Sequence, residues 1–421
     1  MTQVESVPPR AQPESLSASE SAEPATLYDV VVVGGGPAGA TAASELAKNG
    51  RSVVLLDRAG RIKPCGGAVP PRLIRDFAIP NHLLKARITK ARMISPSDRG
   101  VDMPIEGGYV GMVDRCEFDE WLRERAANDG AERRTGTFEA FERAEDGTAI
   151  VSYRPGGETA GKELRRLRAR LVIAADGARS QVAKQAGIPN AERVPCVFAY
   201  HEIVASPDRE SESFESDRCD VYYQGKLSPD FYAWVFPHGN STSIGVGSAN
   251  KGFSLRGAVS TLRNSTGMSE NRTIRREGAP IPLKPLKRWD NGRDVIAAGD
   301  AAGIVAPASG EGIYYAMLGG QLSAQAAERA LDTGDARQLA SARKQFMRAH
   351  GRVFWILGIM QKFWYSSDRR RERFVSICQD PDVQYLTWQA YMEKKLVKAR
   401  PGAHLRIFLK DMAHLLRVVS P

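Results

Sequence analysis

Three sets of residues have types and spacings that could do chemistry. The first is Gly34-x-Gly36-x-x-Gly39, placed between the β-branched run Val30–Val33 and an Ala-rich helical pattern that starts around Ala38 and reaches Lys48. Glycines there allow a tight turn and the close approach of a phosphate, which the free N–H groups and dipole of a helix N-terminus would hold. A second apolar run, Val53–Leu56, ends in Asp57, eighteen residues after Gly39. That is near the offset of a carboxylate that accepts from a ribose 2′-OH. An acid at this point disfavours a 2′-phosphate, so the pattern suits FAD or NAD better than NADP. The second set is Pro64-Cys65-Gly66-Gly67, a thiol on a glycine-rich loop stiffened by prolines at 64 and 70. A thiol can give a proton or tune a bound group; equally, Cys65 could pack as a small apolar side chain. The third is Tyr232, Trp234 and Phe236, alternating with Ala233 and Val235. This is the period of a strand with one aromatic face, which fits either the wall of an apolar channel or a sheet core.

These residues need elements to position them. Leu171–Lys184 reads as a strand running into Asp176-Gly177 and then a helix. Asp294–Gly320 reads as a strand, then Gly299-Asp300, a Pro/Gly/Ser loop, and a helix opening at Gly310-Glu311-Gly312-Ile313. The stretch from Phe231 to Ala249 alternates on both sides of Pro237-His238-Gly239-Asn240, as a hairpin does, with Tyr222-Tyr223 as a candidate partner strand. The expected organisation is an α/β dinucleotide-binding unit over 28–85, 111–189 and 288–330. A mostly antiparallel sheet is inserted over 86–110 and 190–287, residues 1–27 form a disordered tail, and 331–421 is a helical, basic C-terminal region. No internal repeat is present.

Composition narrows the function. With 421 residues, 42% hydrophobic and 26% charged, the chain can bury the cores of more than one domain. Cys65, Cys116, Cys196, Cys219 and Cys378 are odd in number, widely spaced and form no CxxC pair. A disulfide framework or a metal site is therefore not expected, and a reducing cytoplasm is. No run approaches the roughly 20 apolar residues that span a bilayer. The net charge is +10, and Ser341–Pro421 holds sixteen Lys and Arg against six Asp and Glu, a surplus of ten that equals the whole excess. Phe354, Trp355, Phe363, Trp364 and Tyr365, with the Arg369-Arg370-Arg371 cluster, make an anionic membrane surface a candidate partner. No nucleic-acid motif accompanies the charge.

Taken together, Tyr28–Arg58, Leu171–Lys184 and Asp294–Gly320 resemble the three FAD fingerprints of the hydroxylase and glutathione-reductase-like flavoprotein superfamily. That resemblance implies cofactor contacts from Gly34, Gly36, Ala38, Gly39, Asp57, Arg58, Arg115, Asp176, Gly177, Gly299, Asp300, Gly310, Gly312 and Ile313. Asp300 would hold the ribityl chain, and the helix after Gly312 would point its N-terminus at the flavin's pyrimidine edge. Within the superfamily, Pro64-Cys65-Gly66-Gly67 and Tyr232-x-Trp234-x-Phe236-Pro237 resemble the geranylgeranyl reductase family, most closely the branch serving (bacterio)chlorophyll synthesis. One departure is His238, where many relatives have lysine; if that lysine binds phosphate, a free diphosphate substrate is less favoured.

The resemblance implies that isolated double bonds of a geranylgeranyl chain are hydrogenated to phytyl, on a pigment or as the diphosphate, with NADPH as reductant. No second G-x-G-x-x-G unit exists for NADPH, and a ferredoxin on the basic surface is the other donor considered. An isolated alkene needs a proton at one carbon and a flavin N5 hydride at the other, in a dry apolar channel. Cys65 and Tyr232 are the candidate proton donors; Gly66, Gly67, Trp234 and Phe236 would line the substrate. The site would be cytoplasmic, or peripheral on the cytoplasmic side of a photosynthetic membrane. Two rivals share the scaffold: a monooxygenase of the aromatic-hydroxylase type, which consumes oxygen with substrate, and a geranylgeranyl lipid reductase.

Overall fold

A computed structural model of the chain describes residues 26–58, 62–156 and 163–394. The tail expected over 1–27 lies outside them except for its last residues, and Leu27 already opens the first strand. The last 27 residues of the basic region, 395–421, also lie outside.

Three sheets organise the described residues. The first has a parallel core in the spatial order Glu132–Arg143, Val53–Asp57, Leu27–Val33, Arg165–Ala174 and Val295–Ala297; Ala149–Pro155 adds antiparallel pairing to the two long outer-lying strands. Val30–Val33 and Val53–Leu56 are buried throughout, as strands covered on both faces must be. Each such side chain contributes about 1.5–3 kcal/mol by leaving water. The helix Pro37–Lys48 packs on this sheet and against the long helix Ile313–Thr333. It ends at Asn49, where Gly50 takes a φ of +78°.

The second sheet has seven strands in the order Thr273–Pro282, Cys196–Ala205, Ser241–Ser248, Ala233–His238, Arg218–Tyr222, Lys90–Ile94 and Gly100–Pro104. All neighbours are antiparallel except Arg218–Tyr222 against Lys90–Ile94. The predicted hairpin is present: His238 pairs with Ser241 across Gly239-Asn240. Tyr222 pairs with Ala233 on the other side. A third, three-stranded sheet of Ala68–Val69, Val110–Val113 and Leu84–Ile88 spans positions 85/86 and 110/111 and belongs to neither large sheet. The fold is thus a Rossmann-like α/β unit interleaved with an antiparallel sheet.

Beyond the long helix, the described residues are largely helical: Ala340–Trp364, Asp368–Ile377 and Pro381–Glu393. The aromatic cluster seen in the sequence divides here. Phe354 and Tyr365 are buried, whereas Trp355 is 67% exposed. Adjacent residues differ by about 100° around a helix, so Phe354 can face the core while Trp355 faces out. Arg371 is not a surface cation: it is 2% exposed and binds Asp368 and the carbonyls of Pro229 and Tyr365. None of the helices among the described residues is long and apolar enough to cross a membrane.

Candidate functional site

The glycine loop leaves the C-terminal end of the Leu27–Val33 strand, the edge where doubly wound sheets bind ligands. Gly34 has a φ of +107° and donates from its amide to the Leu56 carbonyl at 2.8 Å. The Gly35 amide donates to Asp57 Oδ2 at 2.6 Å. Gly36 then caps Pro37–Lys48 without any side-chain bond, and a Cβ built on it would meet nothing within 4 Å. Open space therefore lies ahead of a helix N-terminus, as a bound pyrophosphate requires.

Two cavities flank this loop. One, of about 530 Å³, is lined by Leu55, Asp57, Arg58, Glu120, Arg123, Arg133, Arg134 and Thr135. Asp57 also accepts from the Arg58 amide and sits 3.6 Å from Arg123; burial nonetheless pushes its carboxyl above the usual aspartate value. The other cavity, about 760 Å³ including its open mouth, lies between the two large sheets. From the glycine-loop side it takes Pro37, Arg115, Asp300, Gly310, Gly312 and Ile313; from the antiparallel sheet it takes Tyr232, Trp234 and Phe236. Cys65 and Gly66 form part of the same wall.

Each residue singled out by sequence has a definite place. Arg115, 5% exposed, opens the helix Arg115–Asn128 and makes two 2.7 Å bonds to Asp119, one turn on. Its guanidinium also reaches Cys65, and the two neighbours together hold its proton tighter than usual despite burial. The Cys65 sulfur accepts from the Gly67 amide at 3.4 Å. Gly67 lies behind the wall: its φ is +73°, and a Cβ would sit 2.5 Å from both His238 Nε2 and the Val113 carbonyl. Gly66 faces Phe236, whose ring would be 3.1 Å from an added Cβ. The Tyr232 hydroxyl donates to the Ser309 carbonyl at 2.6 Å, and burial raises its pKa far above that of a free phenol. Gly299 turns the chain at φ +63° so that Asp300 faces the cavity.

Asp176 behaves differently. Its backbone abuts Gly34, but its carboxylate accepts from the amides of Gln181 and Val182 and from the Ser180 hydroxyl. It holds the first-turn amides of the short helix Gln181–Gln185, whose N-cap is Ser180, and neither Asp176 nor Gly177 is among the residues lining either cavity. Conversely, sequence reasoning missed Lys63 and His201. Lys63 forms an ion pair with Asp300, and Lys63, Asp300 and His201 all line the cavity between the two large sheets. A single lysine beside Pro64 carries no local signal for this.

His238 is half-buried, and the desolvation of its ring pushes it down to about 4. Its folded value lies below the unfolded 6.5, so the unfolded chain takes up a proton that the folded one refuses. Stability is whole above pH 6.5 and is lost as pH falls toward 4. Between pH 6.5 and 5 this histidine should cost about 2 kcal/mol. The thermal midpoint should therefore fall less on acidification in His238→Gln than in the wild type.

An open sheet edge with a glycine loop, an acid at its second strand and cavities on both sides defines a dinucleotide-binding flavoprotein, and residues 27–347 match the model of the FAD binding domain family. The chain is 55% identical to a geranylgeranyl diphosphate reductase of Rhodobacter capsulatus, covering 94% of this chain and 99% of that one. It is 35% identical to the chloroplastic geranylgeranyl diphosphate reductase of Oryza sativa, over 93% and 87% of the two chains. A solved geranylgeranyl bacteriochlorophyll reductase-like protein from Thermoplasma acidophilum shares the fold, with a TM-score of 0.76 at 22% identity over 90% and 95% of the chains. The chain belongs to the geranylgeranyl diphosphate reductase family of FAD-dependent oxidoreductases.

The residues fit FAD. The cavity at Asp57 suits the adenosine end, the space before Gly36 the pyrophosphate, and the cavity at Asp300 and Gly312 the flavin. Lys63, now on Asp300, would be the neighbour to yield when a ribityl hydroxyl takes that carboxylate.

Proposed function

We propose that this protein hydrogenates the isolated double bonds of a geranylgeranyl chain to phytyl, on a (bacterio)chlorophyll or on geranylgeranyl diphosphate, with NADPH as reductant. The observation that carries the reading is the cavity between the two large sheets: aromatic side chains wall the side opposite the cofactor-binding loops, and Cys65 lines the cavity with them. Reduced FAD, when bound, supplies hydride. The Tyr232, Trp234 and Phe236 rings present an apolar surface along which an isoprenoid chain can slide and which keeps water out. Each double bond gains the hydride at one carbon and a proton at the other. Cys65 Sγ would deliver that proton, held in place by the Gly67 amide and Arg115. Asp57, Gly36 and Asp300 would bind the three parts of the cofactor.

The test is anaerobic. Purified, FAD-loaded protein is reduced chemically, mixed with geranylgeranylated bacteriochlorophyll or with geranylgeranyl diphosphate, and the products are weighed. Stepwise gain of two hydrogens per double bond supports the reading. Unaltered substrates, with hydroxylation once oxygen is admitted, would replace it with a monooxygenase. Running the reaction with NADPH and then with reduced ferredoxin identifies the electron donor.

A substrate dissolved in membrane also needs a route to the site. The helix Ala340–Trp364 contains no acid, and its outward side carries Lys344, Arg348, Arg352, Trp355, Ile359 and Lys362. This pattern supports peripheral contact with an anionic bilayer. Its C-terminal neighbour Tyr365 donates to the Ala308 carbonyl at 2.9 Å, next to the cavity loop. Trp355→Glu with Arg352→Glu should abolish sedimentation with phosphatidylglycerol vesicles; unchanged sedimentation would exclude this face.

A further inference from the structure

His201 and Ser243, both buried, and the half-buried Glu277 form a polar relay that the reduction chemistry above does not use. Four adjacent strands carry it. His201 stands opposite Glu277 on one side and Gly245 on the other, and Gly245 stands opposite Trp234. The row across the sheet is therefore Glu277, His201, Gly245, Trp234. Gly245 is the only residue type that fits in its middle. A Cβ there would lie 2.2 Å from Trp234 Cζ2 and 2.6 Å from His201 Cβ. Ser243, two residues along the same strand and on the same face, closes the gap between the two rings.

The distances make a continuous chain. Trp234 Nε1 donates to Ser243 Oγ at 3.0 Å, Ser243 Oγ meets His201 Nδ1 at 2.9 Å, and His201 Nε2 meets Glu277 Oε2 at 2.9 Å. An indole N–H can only donate. The serine oxygen is thus the acceptor, its own proton goes to Nδ1, and Nε2–H goes to the carboxylate. One direction satisfies every donor. Glu277 in turn binds Arg275 at 3.0 Å, and Arg275 binds Asp114 at 2.9 Å. Asp114 caps the helix whose first residue is Arg115, on the cofactor side of the cavity. Although serine, histidine and acid are joined, nucleophilic chemistry is excluded: the Ser243 side chain is wholly buried and its oxygen already accepts from Trp234.

We propose that Glu277, His201 and Ser243 are positioning residues that fix the plane of the Trp234 indole and so hold the isoprenoid chain in register across the cavity. Buried polar networks specify one geometry when every member is satisfied, and an indole pinned at its nitrogen cannot rotate away as the chain slides. This inference rests on the proposed reduction of a long chain, in which several double bonds must reach one reaction point in turn.

Epistasis tests it. Ser243→Ala should lower kcat about tenfold, the worth of one lost hydrogen bond, and raise the share of partly reduced products. In a Trp234→Phe background, which has no N–H to hold, adding Ser243→Ala should change either quantity by less than about twofold. His201→Phe, which keeps the ring volume, is the second variant and should behave the same way. Losses that multiply in the double variants, or a Ser243→Ala enzyme indistinguishable from wild type, would overturn the proposal. If the wild type reduced no geranylgeranyl substrate, the functional reading would fall instead. The relay would still be tested in FAD-loaded protein, where Ser243→Ala should alter the near-ultraviolet circular dichroism only when Trp234 is present.

Discussion

Cys65→Ala is expected to retain bound FAD and to lose about 10²-fold or more in the rate at which the reduced enzyme hydrogenates substrate, the range of a lost general acid. The sulfur is in the cavity wall, accepts from the Gly67 amide and lies beside Arg115. The other acids nearby are worse placed. The Tyr232 proton is committed to the Ser309 carbonyl, and burial makes that phenol harder still to ionise. Glu311 is buried against Lys394, and burial raises its carboxyl, but it does not line the cavity that its neighbours Gly310 and Gly312 line. The measurement is anaerobic mixing of reduced enzyme with substrate, following flavin reoxidation. A Cys65→Ala rate equal to wild type would mean that the sulfur only packs and that Gly66 and Gly67 are what the loop needs.

The parts of this site that could be read from sequence are those with a local physical signature. Val30–Val33, the three glycines and Asp57 lie within one strand–helix–strand unit, where period and spacing report directly on backbone demands. The aromatic stripe could be read for the same reason, since two-residue alternation already places Tyr232, Trp234 and Phe236 on one face. Which face remained open, because a channel wall and a sheet core share that pattern. Only the Cys65 loop, brought in from about 170 residues away to line the same cavity, turns it into a wall.

What was not legible is non-local. Nothing in Lys90–Ile94 signals a parallel partner at Arg218–Tyr222, because the pairing is set by packing between distant segments. Asp176 carried the family pattern in sequence, yet its carboxylate accepts from Ser180 and from the first amides of a five-residue helix; a turn acid and a ligand acid look alike until their partners are known. Arg371 sat in a run of three arginines that suggested a charged surface, but three hydrogen-bond acceptors draw it inside. His201 and Glu277 are 76 residues apart and meet only through the register of two strands. Charge and hydropathy give a chain's inventory, whereas register decides which charges meet.

The glycine loop separates cofactor binding from folding, and two substitutions should show it. Gly39→Ala places a Cβ 1.8 Å from the Gly34 carbonyl oxygen and 3.0 Å from the Ala175 Cβ. Those atoms are backbone or core, so the helix Pro37–Lys48 must move off the sheet, and both folding and FAD content should suffer. Gly36→Ala is the sharper case. Gly36 has φ −75° and ψ −175°, an extended conformation open to alanine, and the new methyl would touch nothing in the protein. The apoprotein should therefore match wild type in thermal midpoint, to within the about 0.5 kcal/mol typical of harmless substitutions. Yet the methyl would stand in the space where the backbone must approach a pyrophosphate. The purified Gly36→Ala protein should be colourless, and its FAD affinity, titrated by flavin fluorescence quenching, should fall at least about 100-fold, or about 2.7 kcal/mol. If it stays yellow with wild-type affinity, the pyrophosphate does not lie against this helix, and the assignment of both cavities to the two ends of FAD fails with it.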